Sequence, residues 1–338
     1  MNSRERVMAA IMNQGPDHVP CFGANSTVTY DQMKAVNAFW PEGHGMAHIM
    51  AMQAMAAHTI VGFDAVRVPF CQTMEAEAFG CKIKPGGSGG IPGIDHPPPF
   101  QLNDTPRFPA DFLSRGRIPE LIKAVGIIKK KLGDGVALIG GITGPLSLSA
   151  ALLDTVPLLK ASARTPEKIR PFLEVAEKAG RTLARALVDA GADVIACEDM
   201  TASPALVAPD TYRDYVLEYQ AGLFEAIPVP GILHICGKVD RIVGWMGRTG
   251  AEILSIETRT DIHLAREKCG PKIILMGDVD TSDTLFAGDA GSVKEACEAA
   301  IEKGIQILAP GCAVAPGTPL KNLLAMVEVA RAHKPRQH

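Results

Sequence analysis

The sequence predicts an α/β protein folded as a TIM (β/α)8 barrel, with an N-terminal helical extension before the barrel. Eight short apolar runs rich in β-branched residues recur along the 338 residues, and amphipathic helical patterns separate most of them. Runs without polar alternation are typical of parallel strands that are buried on both faces. Eight β/α units favour a closed barrel over an open, Rossmann-like sheet, and no G-x-G-x-x-G motif follows the first run to support the open alternative.

The predicted strands are the residue ranges 18–24, 64–70, 136–144, 192–199, 231–236, 251–257, 272–279 and 305–312. The clearest helical patterns between them cover 166–191 and 292–304. Residues 1–60 are predicted to be a mostly helical extension around the first strand. The segment 85–109 is too rich in Pro and Gly for regular structure, so we expect a long loop within one domain that covers residues 1–338.

Composition narrows the class of protein and its partners. Apolar residues make up 47% of the chain and the formal net charge is −3, which predicts a globular protein with a large core. The near balance of 34 basic and 37 acidic residues gives no electrostatic case for binding nucleic acid. Apolar runs fall short of the roughly 20 residues of a membrane helix, and no signal peptide is predicted. The eight dispersed cysteines do not resemble a secreted disulfide framework, so we expect a cytoplasmic protein.

Polar residues end the last five predicted strands, where a β/α barrel has its active site. In chain order these residues are Glu198 and Asp199, His234 and Cys236, Glu257, Asp278, and Cys312. Thiolate and imidazole suit zinc, and two cysteines with one histidine leave a fourth position open for catalysis. A zinc ion held in this way could bind a substrate thiol as the thiolate, which is a good nucleophile at neutral pH.

Two other interpretations of His234 and Cys236 stay open on the residues alone. A single buried cysteine or histidine is often only a core residue. The two side chains could instead form a nucleophile with its base, but their Cα atoms would lie about 6–7 Å apart on one strand, which is an awkward relay geometry. Their shared position at strand ends is what supports a metal site.

The carboxylates and one arginine give weaker signals. Glu257 ends an apolar strand, where a charge needs a partner, and a fourth zinc ligand is one candidate role. Glu198 and Asp199 could orient His234 or cap the helix that follows them. Arg67 could bind an anion or form a buried ion pair. The candidate catalytic residues are Glu257, Glu198 and Asp199, and the candidate cofactor-binding residues are Arg67, Asn25 and Asp278.

Along nearly its whole length the chain resembles the uroporphyrinogen decarboxylase superfamily, and within it the methylcobamide:coenzyme M methyltransferases. The most specific segments are LHICGKVDRI (233–242) and ILAPGCAVAPGTPL (307–320). The other similar segments are 61–83, 114–125, 139–148, 186–212 and 252–257. The arginine-rich motif of the decarboxylase itself, R-Q-A-G-R, has no counterpart, because the corresponding region reads CFGANSTVTYD (21–31).

The resemblance implies a catalytic zinc ion held by His234, Cys236 and Cys312, and it makes Glu257 a candidate for the fourth ligand. It also implies that the zinc activates the thiol of coenzyme M, which attacks the methyl group of a methylcobamide. A separate small corrinoid protein would carry this methyl donor and dock at the barrel mouth. The sulfonate of coenzyme M requires an anion site, which Arg67 or the loop at 85–109 could supply.

Three alternatives stay open beside this expectation. One is a corrinoid-dependent methyltransferase with another thiol acceptor. The second is a lyase of the decarboxylase type, which needs no metal. The third is a protein that binds the corrinoid partner without turnover.

Overall fold

The computed structural model describes residues 1–96 and 98–335, and it has a parallel barrel sheet at its centre. The strands are β1 (Ala65–Val68), β2 (Lys82–Lys84), β3 (Gly93–Asp95), β4 (Ala137–Thr143), β5 (Val194–Glu198), β6 (Gly231–His234), β7 (Ile253–Ser255), β8 (Ile274–Val279) and β9 (Ile307–Pro310). Seven of them form one parallel sheet in the order β1-β4-β5-β6-β7-β8-β9. Every residue of these seven strands is buried, as expected of a sheet that is covered on both faces.

The predicted first strand, at 18–24, is reduced to one bridge that joins the two edges of this sheet. Cys21 pairs in parallel with Leu308 of β9, whose N–H donates to the Pro20 carbonyl at 2.9 Å. The Asp64 N–H, just before β1, donates to the Cys21 carbonyl at 2.9 Å. Pro20 has no N–H to extend a ladder, which explains why the pairing is so short. The predicted barrel fold is confirmed. Seven strands form the sheet, and the bridge at Cys21 takes the place of the eighth strand.

Helices cover the outside of the sheet. The α-helices are α1 (Ser3–Ile11), α2 (Tyr30–Val36), α3 (Ala47–Ala56), α4 (Met74–Ala78), α5 (Ile118–Leu132), α6 (Pro145–Leu153), α7 (Thr155–Arg164), α8 (Arg170–Asp189), α9 (Pro209–Thr211), α10 (Leu217–Glu225), α11 (Val243–Met246), α12 (Ile262–Cys269), α13 (Ala290–Lys303) and α14 (Leu320–Ala332). The first three precede β1 and form the predicted helical extension. Within the described residues no single helix is long and apolar enough to cross a membrane; only α6 and α7 together, bent by 116°, reach that length.

Local sequence explains where these helices begin and end, and α13 is the clearest case. The Asp289 side chain accepts a hydrogen bond from the Ser292 N–H, and the Ser292 hydroxyl accepts one from the Asp289 N–H. This reciprocal capping box satisfies two backbone donors at the helix start. Gly304 follows the last helical residue and caps the helix, and its φ of 107° suits a residue without a Cβ. The buried side chains of α13, including Val293 and Ile301, pack into the core beside β8 and β9.

The segment 85–109 differs in part from the loop that the sequence predicts. Its residues Gly93–Asp95 form β3, which pairs antiparallel with β2. Pro97 lies outside the described residues, as do residues 336–338 of the predicted domain. The hairpin brings the loop over the barrel mouth, where Ile91 and Ile94 line a cavity.

Candidate metal centre

Four side chains with metal-binding atoms meet at the carboxyl ends of three strands. His234 is the last residue of β6, and Cys236, Glu257 and Cys312 each lie two residues beyond the end of β6, β7 and β9. One ligand atom from each of the four lies within 4.8 Å of all the others. The structure therefore brings together the four residues that the resemblance implies as zinc ligands.

The distances between these atoms fit one tetrahedral zinc ion. The Cys236 and Cys312 sulfurs lie 3.9 Å apart, and the Cys236 sulfur lies 3.4 Å from the His234 Nε2. Ligands at the usual zinc–sulfur and zinc–nitrogen distances would be separated by about 3.8 Å and about 3.6 Å at the tetrahedral angle. Two thiols, an imidazole and a carboxylate are also the donor types that zinc prefers. The residues present fit the metal.

His234 is held in the tautomer that a metal requires. Its Nδ1 lies 3.2 Å from the Ser255 carbonyl oxygen and 3.1 Å from the Ser255 hydroxyl. A carbonyl oxygen only accepts hydrogen bonds, so Nδ1 carries the hydrogen and Nε2 keeps its lone pair. This contact follows from the register of the sheet, in which His234 of β6 pairs with Ser255 of β7. Histidine ligands in metal sites usually donate their second N–H in this way.

The hydrogen bond between the two cysteines moves their pKa values in opposite directions. The hydrogen bond with Cys236 lowers the pKa of Cys312 to about 4. The same hydrogen bond, together with burial and the charge of Glu257, raises the pKa of Cys236 above its usual range. The lowered pKa of Cys312 favours its thiolate, which is the form of cysteine that binds metals.

Two glycines let the backbone bring these ligands together. Gly237, which follows Cys236, has a φ of 83°, a conformation that other residues rarely adopt. A Cβ at Gly311, which precedes Cys312, would lie 3.3 Å from the Glu257 Cα. The glycine of LHICG therefore permits the turn after Cys236. The second glycine lets the backbone before Cys312 lie close to the backbone of Glu257.

A cavity of about 330 Å³ opens beside the two cysteines. Its lining includes Cys236 and Cys312 together with Arg67, Glu198 and Asn25. Hydroxyl groups of the lining come from Ser26, Thr73, Thr143, Ser147, Thr155 and Thr201. Among the described residues of this lining, Arg67 is the one cationic side chain. The cavity is therefore large enough for a small molecule that reaches the sulfurs.

Arg67 of β1 forms a buried ion pair inside the barrel. Its guanidinium contacts the Glu198 carboxylate of β5 and donates to the Pro69 carbonyl, and Gln72 donates to Glu198. Burial lowers the pKa of Arg67 to about 10, so the side chain remains cationic at neutral pH. A Cβ at Gly141 would overlap the Arg67 guanidinium, so glycine at that position makes room for it.

Neither Glu198 nor Asp199 orients His234, and that interpretation is wrong. Ser255 takes that role, and Glu198 is engaged by Arg67. The Asp199 carboxylate accepts hydrogen bonds from the Ser147 N–H at 2.7 Å and the Gln220 amide at 2.8 Å. Asp199 therefore caps α6, which precedes it in the chain, and not the helical turn that follows it, which has no side-chain cap.

The two other candidate cofactor-binding residues lie in different places. Asn25 is 4% exposed and lines the cavity, and its side-chain oxygen has no hydrogen-bond partner among the described residues. Asp278 belongs neither to the described lining of this cavity nor to the four-residue group. Burial raises the pKa of Asp278, and its charged neighbour is Lys303 of α13. The structure therefore supports a binding role for Asn25 more directly than for Asp278.

Sequence reasoning missed Ser255, Gln72 and Gly141. Ser255 is a small polar residue inside an apolar run, and only the strand register reveals that it faces His234. Gly141 is one of two adjacent glycines in β4, and nothing local indicates that it accommodates an arginine from β1. All three act on residues that are distant in the sequence.

Comparison with known proteins identifies the family. The family model for uroporphyrinogen decarboxylase (URO-D) matches residues 2–333. The chain is 36% identical over 325 residues to methylcobamide:CoM methyltransferase MtaA of Methanosarcina barkeri, covering 96% of each chain. It is 35% identical over 335 residues to methylcobamide:CoM methyltransferase MtbA of Methanosarcina acetivorans, covering 98% of each.

A solved structure agrees with these relatives. A methyltransferase from Methanosarcina mazei superposes with a TM-score of 0.94 at 36% identity, covering 98% of each chain. Family model, relatives and structure all extend over nearly the whole length, so they confirm the resemblance seen in the sequence. The chain therefore belongs to the uroporphyrinogen decarboxylase family, and within that family to its methyltransferases.

Proposed function

We propose that this methyltransferase moves a methyl group from a methylated corrinoid to the thiol of coenzyme M, with a zinc ion held by His234, Cys236, Cys312 and Glu257. The observation that carries the proposal is the group of four ligand atoms within 4.8 Å of one another, beside a cavity for a small molecule. The names of the relatives, methylcobamide:CoM methyltransferases, supply the donor and the acceptor.

The four side chains have distinct roles in this proposal. Zinc supplies a Lewis acid that lowers the pKa of a thiol and so delivers a nucleophilic thiolate at neutral pH. Ser255 keeps the His234 Nε2 lone pair directed at the metal position. The sulfurs of Cys236 and Cys312 are soft ligands, whereas the partly exposed Glu257 offers a hard oxygen. Glu257 would therefore be the ligand that a substrate sulfur could replace most readily.

The acceptor binds in the cavity with its sulfur toward the two cysteines. Coenzyme M carries a sulfonate, whose oxygens only accept hydrogen bonds, and the planar guanidinium of Arg67 is well suited to such an anion. Asn25 contributes an amide that has an unpaired buried oxygen and can rotate to donate. Since Glu198 neutralises Arg67, the sulfonate competes with this carboxylate for the guanidinium.

The methyl donor reaches the site from the barrel mouth, carried by a small corrinoid protein that docks there. A second cavity of about 460 Å³ adjoins the first and shares Ser26, Phe70, Ile91 and Ala313 with it. Ile91 and Phe286 in this lining are 57% and 50% exposed. Exposed apolar side chains around an opening are a feature of docking surfaces, and they support this location.

The test is a spectrophotometric assay of methylcobalamin with a panel of thiols, on the wild-type protein and on Cys236→Ser and Cys312→Ser. We expect demethylation with coenzyme M, and loss of metal and activity in both variants. Cys297→Ser is the matched control, because this buried cysteine of α13 lies outside the four-residue group. Activity with another thiol but not with coenzyme M would identify that other thiol as the acceptor. Carbon dioxide release from uroporphyrinogen, or an unchanged cob(III) spectrum with every thiol, would contradict the proposal.

A further inference from the structure

We propose that Cys71 is a covalent modification site inside the acceptor cavity, which reacts with small disulfides that carry anionic groups. Cys71 follows β1, and its side chain lines the same cavity of about 330 Å³ as Cys236 and Cys312. The residue is 4% exposed, so this cavity is the route by which a reagent reaches it. The proposal rests on the proposed function in one respect, because the oxidised acceptor thiol would be the natural reagent.

The Cys71 sulfur is surrounded by donors. The Thr73 hydroxyl donates to it at 3.3 Å, and the Arg117 Nη1 donates to it at 3.7 Å. The Arg117 Nη2 in turn donates to the Thr73 hydroxyl at 2.7 Å, which directs the hydroxyl hydrogen toward the sulfur. Within residues 1–96 and 98–335 no hydrogen bond from the Cys71 thiol is found. The sulfur therefore accepts hydrogen bonds and gives none.

Two arginine guanidinium groups lie around this sulfur, and each is also paired with a carboxylate, Arg67 with Glu198 and Arg117 with Glu77. Arg117 and Arg67 both interact electrostatically with Cys71. Donors and neighbouring guanidinium groups form the environment in which cysteine sulfurs act as nucleophiles. Burial raises the pKa of Cys297 in α13 to about 12, and buried structural cysteines of this kind are unreactive.

Independent features of the cavity indicate that it takes a polar ligand. The Arg67 Nε and the Asn25 side-chain oxygen are buried without hydrogen-bond partners among the described residues, and both residues line the cavity. Unpaired buried polar atoms are costly, and a ligand with an anionic group and further polar atoms would satisfy them. A small molecule whose anionic group binds Arg67 would have its remaining atoms in the same cavity that Cys71 lines.

The reaction is thiol–disulfide exchange. The Cys71 thiolate attacks one sulfur of a disulfide R–S–S–R, a bond forms between the Cys71 sulfur and that sulfur, and the original S–S bond breaks. The second half leaves as R–S⁻ and takes a proton from solvent. Cys71 is oxidised and one half of the reagent is reduced, so no other oxidant is needed. The bound R–S group fills the acceptor cavity and stops methyl transfer until a reducing thiol removes it.

Three disulfides of similar size test the proposal on the purified full-length protein after incubation with zinc, which occupies the Cys236 and Cys312 sulfurs and protects them from the reagents. They are bis(2-sulfonatoethyl) disulfide, bis(2-hydroxyethyl) disulfide and cystamine, with charges of two negative, none and two positive. Peptide mass spectrometry measures the adduct at each cysteine over time. We expect Cys71 to react at least about tenfold faster with the dianion than with the neutral reagent, and most slowly with cystamine. Dithiothreitol should remove the adduct and restore activity.

Two variants separate the site from general thiol damage. Cys71→Ser should keep its own starting activity when it is treated with the dianionic disulfide, whereas Cys297→Ser should be inactivated like the wild type. An unmodified Cys71, equal rates with all three reagents, or inactivation of Cys71→Ser would overturn the proposal. The adduct is detected without turnover, so an adduct on a protein with no transferase activity would contradict the proposed function alone.

Discussion

The Ser255 hydroxyl lies 3.1 Å from the His234 Nδ1, so a residue of one strand fixes the tautomer of an imidazole on the next strand. Ser255→Ala removes the hydroxyl but keeps the backbone carbonyl, which lies 3.2 Å from the same nitrogen. We expect zinc affinity to fall by up to about tenfold, at the low end of the loss seen when such supporting contacts are removed. Titration against a chromogenic chelator measures this change. Ser162→Ala, which removes a hydroxyl bonded within α7, should leave the affinity unaltered.

Removing one partner of the buried pair of Arg67 and Glu198 should strongly destabilise the protein. The two side chains are 7% and 6% exposed. Arg67→Leu leaves the Glu198 charge buried without its partner, so we expect the free energy of unfolding to fall by about 3–5 kcal/mol. Urea denaturation of the wild type, both single leucine variants and the double variant gives the coupling energy. A coupling energy near zero would mean that the pair is solvated in the folded protein.

A side chain at Gly141 should destabilise the fold, because a Cβ there would overlap the Arg67 guanidinium and force it to move. We expect Gly141→Ala to lower the free energy of unfolding by about 1–3 kcal/mol, as overpacking of a core does. Gly126→Ala is the control, since Gly126 lies within α5 and nothing lies within 4 Å of the added Cβ. Alanine there should be neutral or should stabilise the helix by up to about 1 kcal/mol. Equal effects of the two changes would contradict the close approach of Arg67.

Asp278 gives a pH dependence with a definite sign. Burial raises the pKa of its carboxyl in the folded state above the value of about 3.9 in the unfolded chain. Its contribution to stability is therefore fully present below that unfolded pKa and is lost as the pH rises through the folded pKa. Relative to Asp278→Asn, the wild type should lose stability as the pH rises above about 4. Urea denaturation of both proteins at several pH values measures the difference, and a constant difference would rule out the raised pKa.

The sequence predicted the barrel because the strands are apolar throughout and separated by helices, and both features are local. The weakest prediction was the strand at 18–24, where Pro20 limits the pairing to a bridge at Cys21. His234, Cys236, Glu257 and Cys312 could be singled out because each lies at or just beyond a strand end. The partners of Glu198 and Asp199 could not be predicted. They come from β1 and α6, and only the folded chain brings them into contact.

The zinc content of the protein, measured together with its rate of methyl transfer, decides whether the four-residue group is a catalytic metal site. The purified protein should contain about one zinc ion per chain, as the group of four ligands provides for one metal. Chelation should abolish transfer from methylcobalamin to coenzyme M, and added zinc should restore it. Full activity of the metal-free protein would contradict a catalytic role for zinc in methyl transfer.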